Sequence, residues 1–444
     1  MNIENEFKEF LDENIDVGAA VLVGFSGGAD SLALLHLLMH YSEKYRLTVH
    51  VAHVDHRWRE ESDKEAASLR DMVEGYGMTF HLKVLDPKKL TGNLEAACRD
   101  ERIQFFSDLC KEHDLSGVFL GHHSDDQAET VLKRIFEGSF ITNISALAPV
   151  ANIFGLTVWR PLITVPKKEI CRWIEKQVLK PIEDTTNADT RYTRARMRHN
   201  IIPQLEEQFG KEISGNICHL AEEARETKEL LEEEIAPILA KKKSSPLATW
   251  IDLTTAEKTP HIILTYLLRK MCNVKDHHLT RDMAKTLVKA ITTKKAGITI
   301  FVGTRTIIAD RGHLFIMEGS NKGISGKLPL IQGQQRYGNI NVTVKKAKTS
   351  EHKKSSWKDL WSDEGATVVV PQGDYTIGIA DTTEQYPRTS PIKKLWTNRK
   401  VPAFLRDKVP VLYKDGIIYH DFLSGEKIEN NEESNDMITV AIKA

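Results

Sequence analysis

Cysteine is scarce and unpaired in this chain: five in 444 residues, at Cys98, Cys110, Cys171, Cys218 and Cys272, with no C-x-x-C pair and no metal-ligand spacing. That excludes a disulfide-stapled scaffold and a cysteine-held metal cluster, and reads as reduced, structural thiols. Long apolar runs are missing too. No stretch approaches the roughly 18–20 uninterrupted apolar residues of a membrane span, and the acidic segment 1–16 lacks the basic start and apolar run of a leader, so a soluble cytoplasmic protein with no membrane partner is expected. Nor does one sign of charge dominate. With 61 basic and 62 acidic residues the formal net charge is −1, so a nucleic-acid partner would have to be held by local patches.

The stretch around which the chain is organised is Ser26-Gly27-Gly28-Ala29-Asp30-Ser31, set between the apolar runs 19–25 and 32–38. It reads as a strand, a glycine turn and a helix start, with Ser31 and the free N–H groups of the first helical turn facing an anion. A Walker loop would read G-x-x-x-x-G-K-[ST]; the missing Lys argues against ordinary γ-phosphate transfer, and Asp30 has no place in a dinucleotide fingerprint. The motif resembles the pyrophosphate loop of the N-type ATP pyrophosphatases.

From residue 20 to about 160, short β-branched runs alternate with helical periodicity, the sign of a parallel α/β sheet. Strands are expected at 20–25, 47–54, 79–85, 117–120 and 156–159, and helices at 31–40, 60–76, 93–113 and 125–137. Ligands bind beyond the carboxyl ends of such strands, so the Ser26 loop, the run 53–56 that starts at His53, and His122-His123 should converge on one cleft. Further on, helices fit 167–178, a short segment ending near 207, and a long acidic stretch around 222–234. A hairpin fits 298–302 with 306–308, and short strands with Gly and Pro follow residue 323. The expected domains are 1–209, a helical linker 210–243, a small α+β domain 244–320 and a β-rich domain 325–444.

Residues 120–130 read LGHHSDDQAET. Asp125 and Asp126 suit the first turn of a helix, where the dipole favours negative charge, so capping alone accounts for them. Glu129 stands at i+3 and i+4 from them, and such a row of carboxylates on one helix face repels itself unless a cation, Mg²⁺ with ATP or a protonated amine, offsets it. Two basic segments supply local patches. One runs from Arg160 to Arg198 and ends in four arginines within eight residues, Arg191, Arg194, Arg196 and Arg198; the other carries Arg388, Lys393, Lys394, Arg399, Lys400, Arg406 and Lys408. Four closely spaced arginines suit phosphate contacts, and Tyr192, Trp396 and Phe404, interleaved with the basic residues, suit stacking on bases.

Taken together, SGGADS at 26–31, HVDHRWR at 53–59, NLEAACR at 93–99, LGHHSDDQAET at 120–130, RPL at 160–162 and PIEDTTNADTRYTRARMRHNIIPQL at 181–205 resemble the tRNA(Ile)-lysidine synthetases, in that family's order. The stretch 393–413 is similar to the C-terminal domain of the family's long form. The resemblance implies a Rossmann-like sheet of the PP-loop ATPase/HUP type. It further implies ATP-dependent joining of L-lysine to C2 of the wobble cytidine of a CAU-anticodon isoleucine tRNA through an adenylated intermediate. Carried over by position, Ser26, Gly27, Gly28, Ala29, Asp30, Ser31 and His53 would bind ATP, and Asp30 and Asp126 would hold Mg²⁺. Asp126, Glu129, Arg99, His122 and His123 would surround the reacting groups. Arg194, Arg196, Arg198, Lys393, Lys394, Arg399, Lys400 and Arg406 would bind tRNA; a homodimer is left open. Two positions depart from the family pattern: residues 140–145 replace a Gly-rich loop, and Ala195 stands where Asn is common. The alternatives are another PP-loop tRNA-modifying enzyme such as a sulfur-transferase, against which the lack of paired cysteines counts, and a non-catalytic nucleotide-sensing RNA-binding protein.

Overall fold

The computed structural model describes residues 2–57, 62–86, 94–182, 193–274, 277–319, 326–347, 355–386, 390–427 and 436–444. The chain divides into two compact units, residues 1–230 and 231–444. Among the described residues no helix is long and apolar enough to cross a membrane.

The first unit runs α1 (Ile3–Asn14), β1 (Ala20–Gly24), α2 (Ala29–Tyr45), β2 (Thr48–Asp55), α3 (Ser62–Gly75), β3 (Thr79–Val84), α4 (Leu94–Glu112), β4 (Val118–Phe119), α5 (Ser124–Phe136), α6 (Ile141–Ile144), β5 (Val150–Ile153), β6 (Leu156–Trp159) and α7 (Lys167–Lys176). Then come α8 (Thr193–Arg196), a π-helical turn Met197–Ile201, α9 (Ile202–Phe209) and α10 (Ser214–Leu239), the last carrying the chain into the second unit. The sheet order is β3-β2-β1-β4-β6-β5. Every pairing is parallel except the hairpin of β5 with β6.

β1 is covered on both faces, which is why its sequence is a continuous apolar run rather than an alternation. Val21 and Val23 join a core with Leu34 and Leu38 of α2, Leu69 of α3 and Ile170 of α7, while Leu22 packs with Ile103, Phe106 and Leu109 of α4. The five strands and four helices expected up to residue 160 are present within a few residues of their expected ends. Three elements were not expected, one of them the single turn α6. In α1, Asn2 caps Glu4 N–H at 3.1 Å and Ile3, Phe7 and Leu11 recur at helical spacing on a buried face. The edge strand β5 is a short hairpin arm whose pairing, not its propensity, defines it.

The second unit begins with β7 (Lys243–Ser244), β8 (Thr249–Asp252), α11 (His261–Cys272), α12 (Arg281–Thr292), β9 (Ile298–Val302), β10 (Arg305–Asp310) and β11 (His313–Glu318), whose strands form one antiparallel sheet in the order β7-β8-β11-β10-β9. It continues through β12 (Lys327–Pro329), β13 (Gly333–Tyr337), β14 (Ile340–Lys346), β15 (Ala366–Pro371), β16 (Thr376–Gly378), α13 (Ile392–Asn398), β17 (Val411–Lys414), β18 (Ile417–Asp421), β19 (Glu426–Lys427) and β20 (Met437–Lys443). These make two further sheets, β12-β16-β17-β18-β19 and β13-β14-β20-β15. One apolar cluster runs from Leu247 and Phe315 through Trp357 and Trp361 to Trp396 and Ile442.

Trp396 is therefore not a stacking platform for bases. It is fully buried, and its indole N–H donates to Asp421 Oδ2 at 2.9 Å, alongside the Leu423 and Ser424 N–H groups and the Ser424 hydroxyl, on a carboxylate with no solvent exposure. Phe404 packs on Phe315 with ring centroids 4.8 Å apart. Tyr192 lies outside the described residues. Because Trp396→Phe keeps most of the apolar volume but removes a donor from a buried carboxylate, it should destabilise the chain by about 1–3 kcal/mol in denaturant unfolding; an unchanged midpoint would show that the indole N–H contributes nothing.

Candidate active site

Strand order reverses between β1 and β4, so the loops after these two strands part and leave a crevice at their carboxyl ends. The cleft found there has a volume of about 300 Å³. Its walls include Ser26, Asp30, Ser31, His53, Asp55, Arg102, Phe106 and His122, so the three segments expected to converge do so.

The β1 loop is held by its own hydroxyls. Ser31 Oγ accepts from Ser26 N–H at 3.2 Å and donates to the Gly28 carbonyl at 3.1 Å. Gly27 has φ +82°, and its carbonyl accepts from Ile182 N–H at 2.9 Å, which ties the loop to the start of the 181–205 motif. The first N–H groups of α2 have no acceptor within the helix and point out of its N-terminus, the arrangement an anion meets. His53 Nδ1 lies 2.8 Å from the Phe25 carbonyl, which makes Nδ1 the protonated nitrogen and leaves Nε2 as an acceptor. Asp55 is buried; one of its oxygens accepts from Arg57 N–H at 2.8 Å, and the other has no hydrogen-bond partner among the described residues.

The loop after β4 lies directly against α2. A Cβ on Gly121 would stand 2.9 Å from the Asp30 carbonyl oxygen and 3.1 Å from Ser31 N, so only glycine permits the approach. As a result Asp30 and the start of α5 share one small space. His123, only 2 % exposed, has Nε2 3.7 Å from Asp30 Oδ2 and 3.4 Å from Asp126 Oδ2. Asp126 also accepts from His123 N–H at 3.2 Å and so caps α5, whereas Asp125 accepts from Lys167 N–H at 3.2 Å, at the first residue of α7 and not on its own helix.

The cations that offset these carboxylates come from the chain itself. Lys167 Nζ pairs with Asp30 at 2.5 Å. Arg198 reaches Glu129 at 2.6 Å and Asp126 at 3.0 Å, and Arg194 reaches Glu129 at 3.3 Å. Spacing explains the selection: Arg194 and Arg198 are four apart and share a face, Met197 between them packs with Leu132 of α5, and Arg196 projects the other way, exposed. Thus two of the three arginines of this segment expected on tRNA lie on the carboxylates in this structure. Glu129 itself is 2 % exposed.

Burial is the largest influence on the histidines. It lowers His53, with the Phe25 carbonyl and Asp55 pulling back, and it lowers His122, where Asp126 opposes and Arg160, Arg194 and Arg102 reinforce it. Burial also pushes Asp126 up, but His123, Arg194, His122 and Arg198 together hold it below the usual carboxylate range. Arg99 is exposed on α4, near enough that, after burial, it helps bring Arg160 down to about 10.

Three participants were not singled out in the sequence. Arg102 stands at i+3 from Arg99, the same helix face, which was a usable signal. Lys167 was read only as part of a basic patch. Gln127 is buried and pins the atypical 140–149 segment, accepting from Leu147 N–H at 2.8 Å and donating to the Leu147 and Ser145 carbonyls, and nothing in its neighbours announced it.

In the second unit, α13 exposes Lys393, Lys394 and Lys400 follows it, also exposed. Arg399 is paired with Glu426, and Arg406, half-buried, donates to the Val401 carbonyl at 2.8 Å. Arg388 lies outside the described residues, as do Arg191 and residues 58–59 of the HVDHRWR segment.

A parallel sheet with an anion-binding loop after its first strand and a cleft at the switch point defines a nucleotide-using domain of the PP-loop class, and residues 1–205 match the model described as "PP-loop domain". Residues 382–420 match the "TilS substrate C-terminal domain". The chain is 34% identical over 448 aligned residues to a tRNA(Ile)-lysidine synthase of Protochlamydia amoebophila, covering 100% of this chain and 97% of that one. It is also 38% identical over 235 residues to a tRNA(Ile)-lysidine synthase of Chlamydia muridarum, covering 52% of this chain and 72% of the relative. The chain belongs to the tRNA(Ile)-lysidine synthase family, and it is an enzyme.

The depressed histidines fix a sign for pH dependence. Below about 6.5 the unfolded chain binds protons that His53 and His122 in the folded state refuse, so stability falls as pH falls. Asp126 acts in the same direction only below about 4, where its unfolded carboxyl titrates. The unfolding free energy should therefore be level above pH 7.5 and drop between pH 7 and 5.5, with a slope of up to about 1.4 kcal/mol per pH unit for each histidine, read from the denaturant midpoint at each pH. A midpoint that rises on acidification would contradict this.

Proposed function

We propose that this enzyme uses ATP to convert the wobble cytidine of a CAU-anticodon isoleucine tRNA to lysidine. In the first step the C2 oxygen attacks the α-phosphorus and pyrophosphate leaves. In the second the ε-amine of L-lysine attacks C2, the C2–O bond breaks, and AMP leaves as the nitrogen loses a proton. The observation that carries the reading is the juxtaposition of the anion-binding loop with Asp126 and Glu129 across the Gly121 contact. A phosphate cradle and a cation-binding carboxylate pair in adjoining positions are what an adenylation followed by amine attack requires.

In this scheme the Ser26–Ser31 loop and the α2 N-terminus hold the phosphates. His53 and the unpartnered Asp55 oxygen accept hydrogen bonds from the nucleoside. Asp126 and Glu129 receive the lysine ammonium in place of the guanidinium of Arg198. Asp30 and Asp126, both facing the His123 ring, form an oxygen donor set that fits Mg²⁺, which when bound supplies charge neutralisation to the phosphates. Arg99, Arg102, Arg160 and Arg196 offer positive charge to RNA and nucleotide phosphates, and Lys393, Lys394 and Lys400 give a second, sequence-independent RNA contact. We assign the domains as 1–209, 210–243, 244–320 and 325–444, and place the reaction in the cytoplasm. No cysteine lines the cleft among the described residues, which speaks against sulfur transfer.

The test is incorporation of labelled lysine into an unmodified CAU-anticodon isoleucine tRNA transcript, with ATP and Mg²⁺. The wild-type chain should incorporate about one lysine per tRNA and release AMP. Glu129→Gln should lose at least about 100-fold in kcat/KM, since a pre-placed charge partner of the amine is removed. No incorporation by the wild type, or undiminished turnover by the variant, would overturn the reading or that residue's assignment respectively.

A further inference from the structure

Apart from the cleft, the first unit carries a cluster of three imidazoles that the reaction does not use. His50 lies near the start of β2, His81 near the start of β3, and His113 directly after α4, where its N–H still bonds the Leu109 carbonyl at 3.0 Å. The parallel register pairs His81 with Ala52, which puts His50 and His81 on the same face of the sheet, the face on which α4 packs. His50 Nδ1 and His81 Nε2 are 2.9 Å apart, and the ring centroids of the three histidines are separated by 5.2, 5.2 and 4.8 Å. One nitrogen from each ring falls within 4.8 Å of the other two.

Packing does not account for this arrangement. His50 and His81 are polar rings at strand positions that favour apolar or β-branched side chains, and both are half-buried, while His113, just past α4, is exposed. Three nitrogens on a tetrahedral zinc ion at about 2.0–2.1 Å stand about 3.3 Å apart. The observed spacing reaches that with small side-chain rotations, one pair being already close. The Glu112 carboxylate adds negative charge near His81, and the exposed side at His113 leaves a fourth position open to water.

We infer that His50, His81 and His113 form a binding site for a divalent transition metal, zinc by preference, at the opposite end of the sheet from the ATP cleft. Nitrogen ligands exclude Mg²⁺ and Ca²⁺ as its occupants. Binding converts the His50–His81 hydrogen bond into two metal–nitrogen bonds, and the ion then ties β2, β3 and the end of α4 together. Five residues of strand separate His50 from Asp55 in the cleft, about 17 Å, so the site is a staple and not part of the chemistry.

The test uses the untagged full-length chain, stripped of metal and kept in millimolar Mg²⁺ so that hard-cation positions are masked. Zinc is titrated in competition with a chromophoric chelator, and Co²⁺ absorption is recorded in parallel. Wild type should bind one more tight equivalent than His113→Ala, give a tetrahedral Co²⁺ spectrum that the variant lacks, and unfold at a higher temperature with zinc than without it. Loss of a direct ligand should weaken binding by more than about 100-fold, the upper range for an outer-shell partner. His113 is exposed, so its variant folds; His81→Ala serves as the second arm. Equal zinc stoichiometry and affinity in wild type and both variants would overturn the site, whatever the lysine-incorporation assay reports.

Discussion

The contact between the loop after β4 and the first turn of α2 sets the terms for everything around it. Gly121 lies so close to the Asp30 and Ser31 backbone that no side chain fits, and this closeness forces Asp30 and Asp126 to face the same buried imidazole. Carboxylates brought that near to one another and out of water must be compensated. Lys167 after β6 and Arg194 and Arg198 on the 193–198 segment are where they are for that reason. The parallel sheet supplies the positions; the charge balance decides which distant segments return to them.

Such a balance suits a site whose substrate is itself a cation. The guanidiniums of Arg194 and Arg198 rest on Glu129 with part of each side chain exposed, while the carboxylate itself is buried. In the proposed reaction a lysine ammonium would take the place of a guanidinium on Asp126 and Glu129, and the arginine so released would be free to meet phosphate. In this structure Arg194 and Arg198, both expected on tRNA, lie on Asp126 and Glu129.

Much of the first unit was legible because its strands are short apolar runs bounded by glycine and polar turns, and its helices show clear periodicity. The convergence of the Ser26 loop, His53 and His122 followed from their places at the carboxyl ends of strands expected in one parallel sheet. What could not be read were pairings across distance. Glu129 reads as a carboxylate awaiting an external cation because Arg198 is 69 residues away, and the burial of Glu129 is a consequence of that pairing. Trp396 sits among basic residues and looks like an RNA contact, yet it fills a core beside Asp421. Sequence neighbours announce a charged surface; they do not announce which of its members turn inward.

The most direct test of this account is a double-mutant cycle on stability between Glu129→Gln and Arg198→Gln, read by denaturant unfolding of the full chain without substrates. If the pair holds the carboxylate site together, the double variant should be less destabilised than the sum of the singles, with a coupling of about 1–3 kcal/mol. Effects that add to within about 0.5 kcal/mol would mean that Glu129 and Arg198 do not depend on each other, and the central claim would fail.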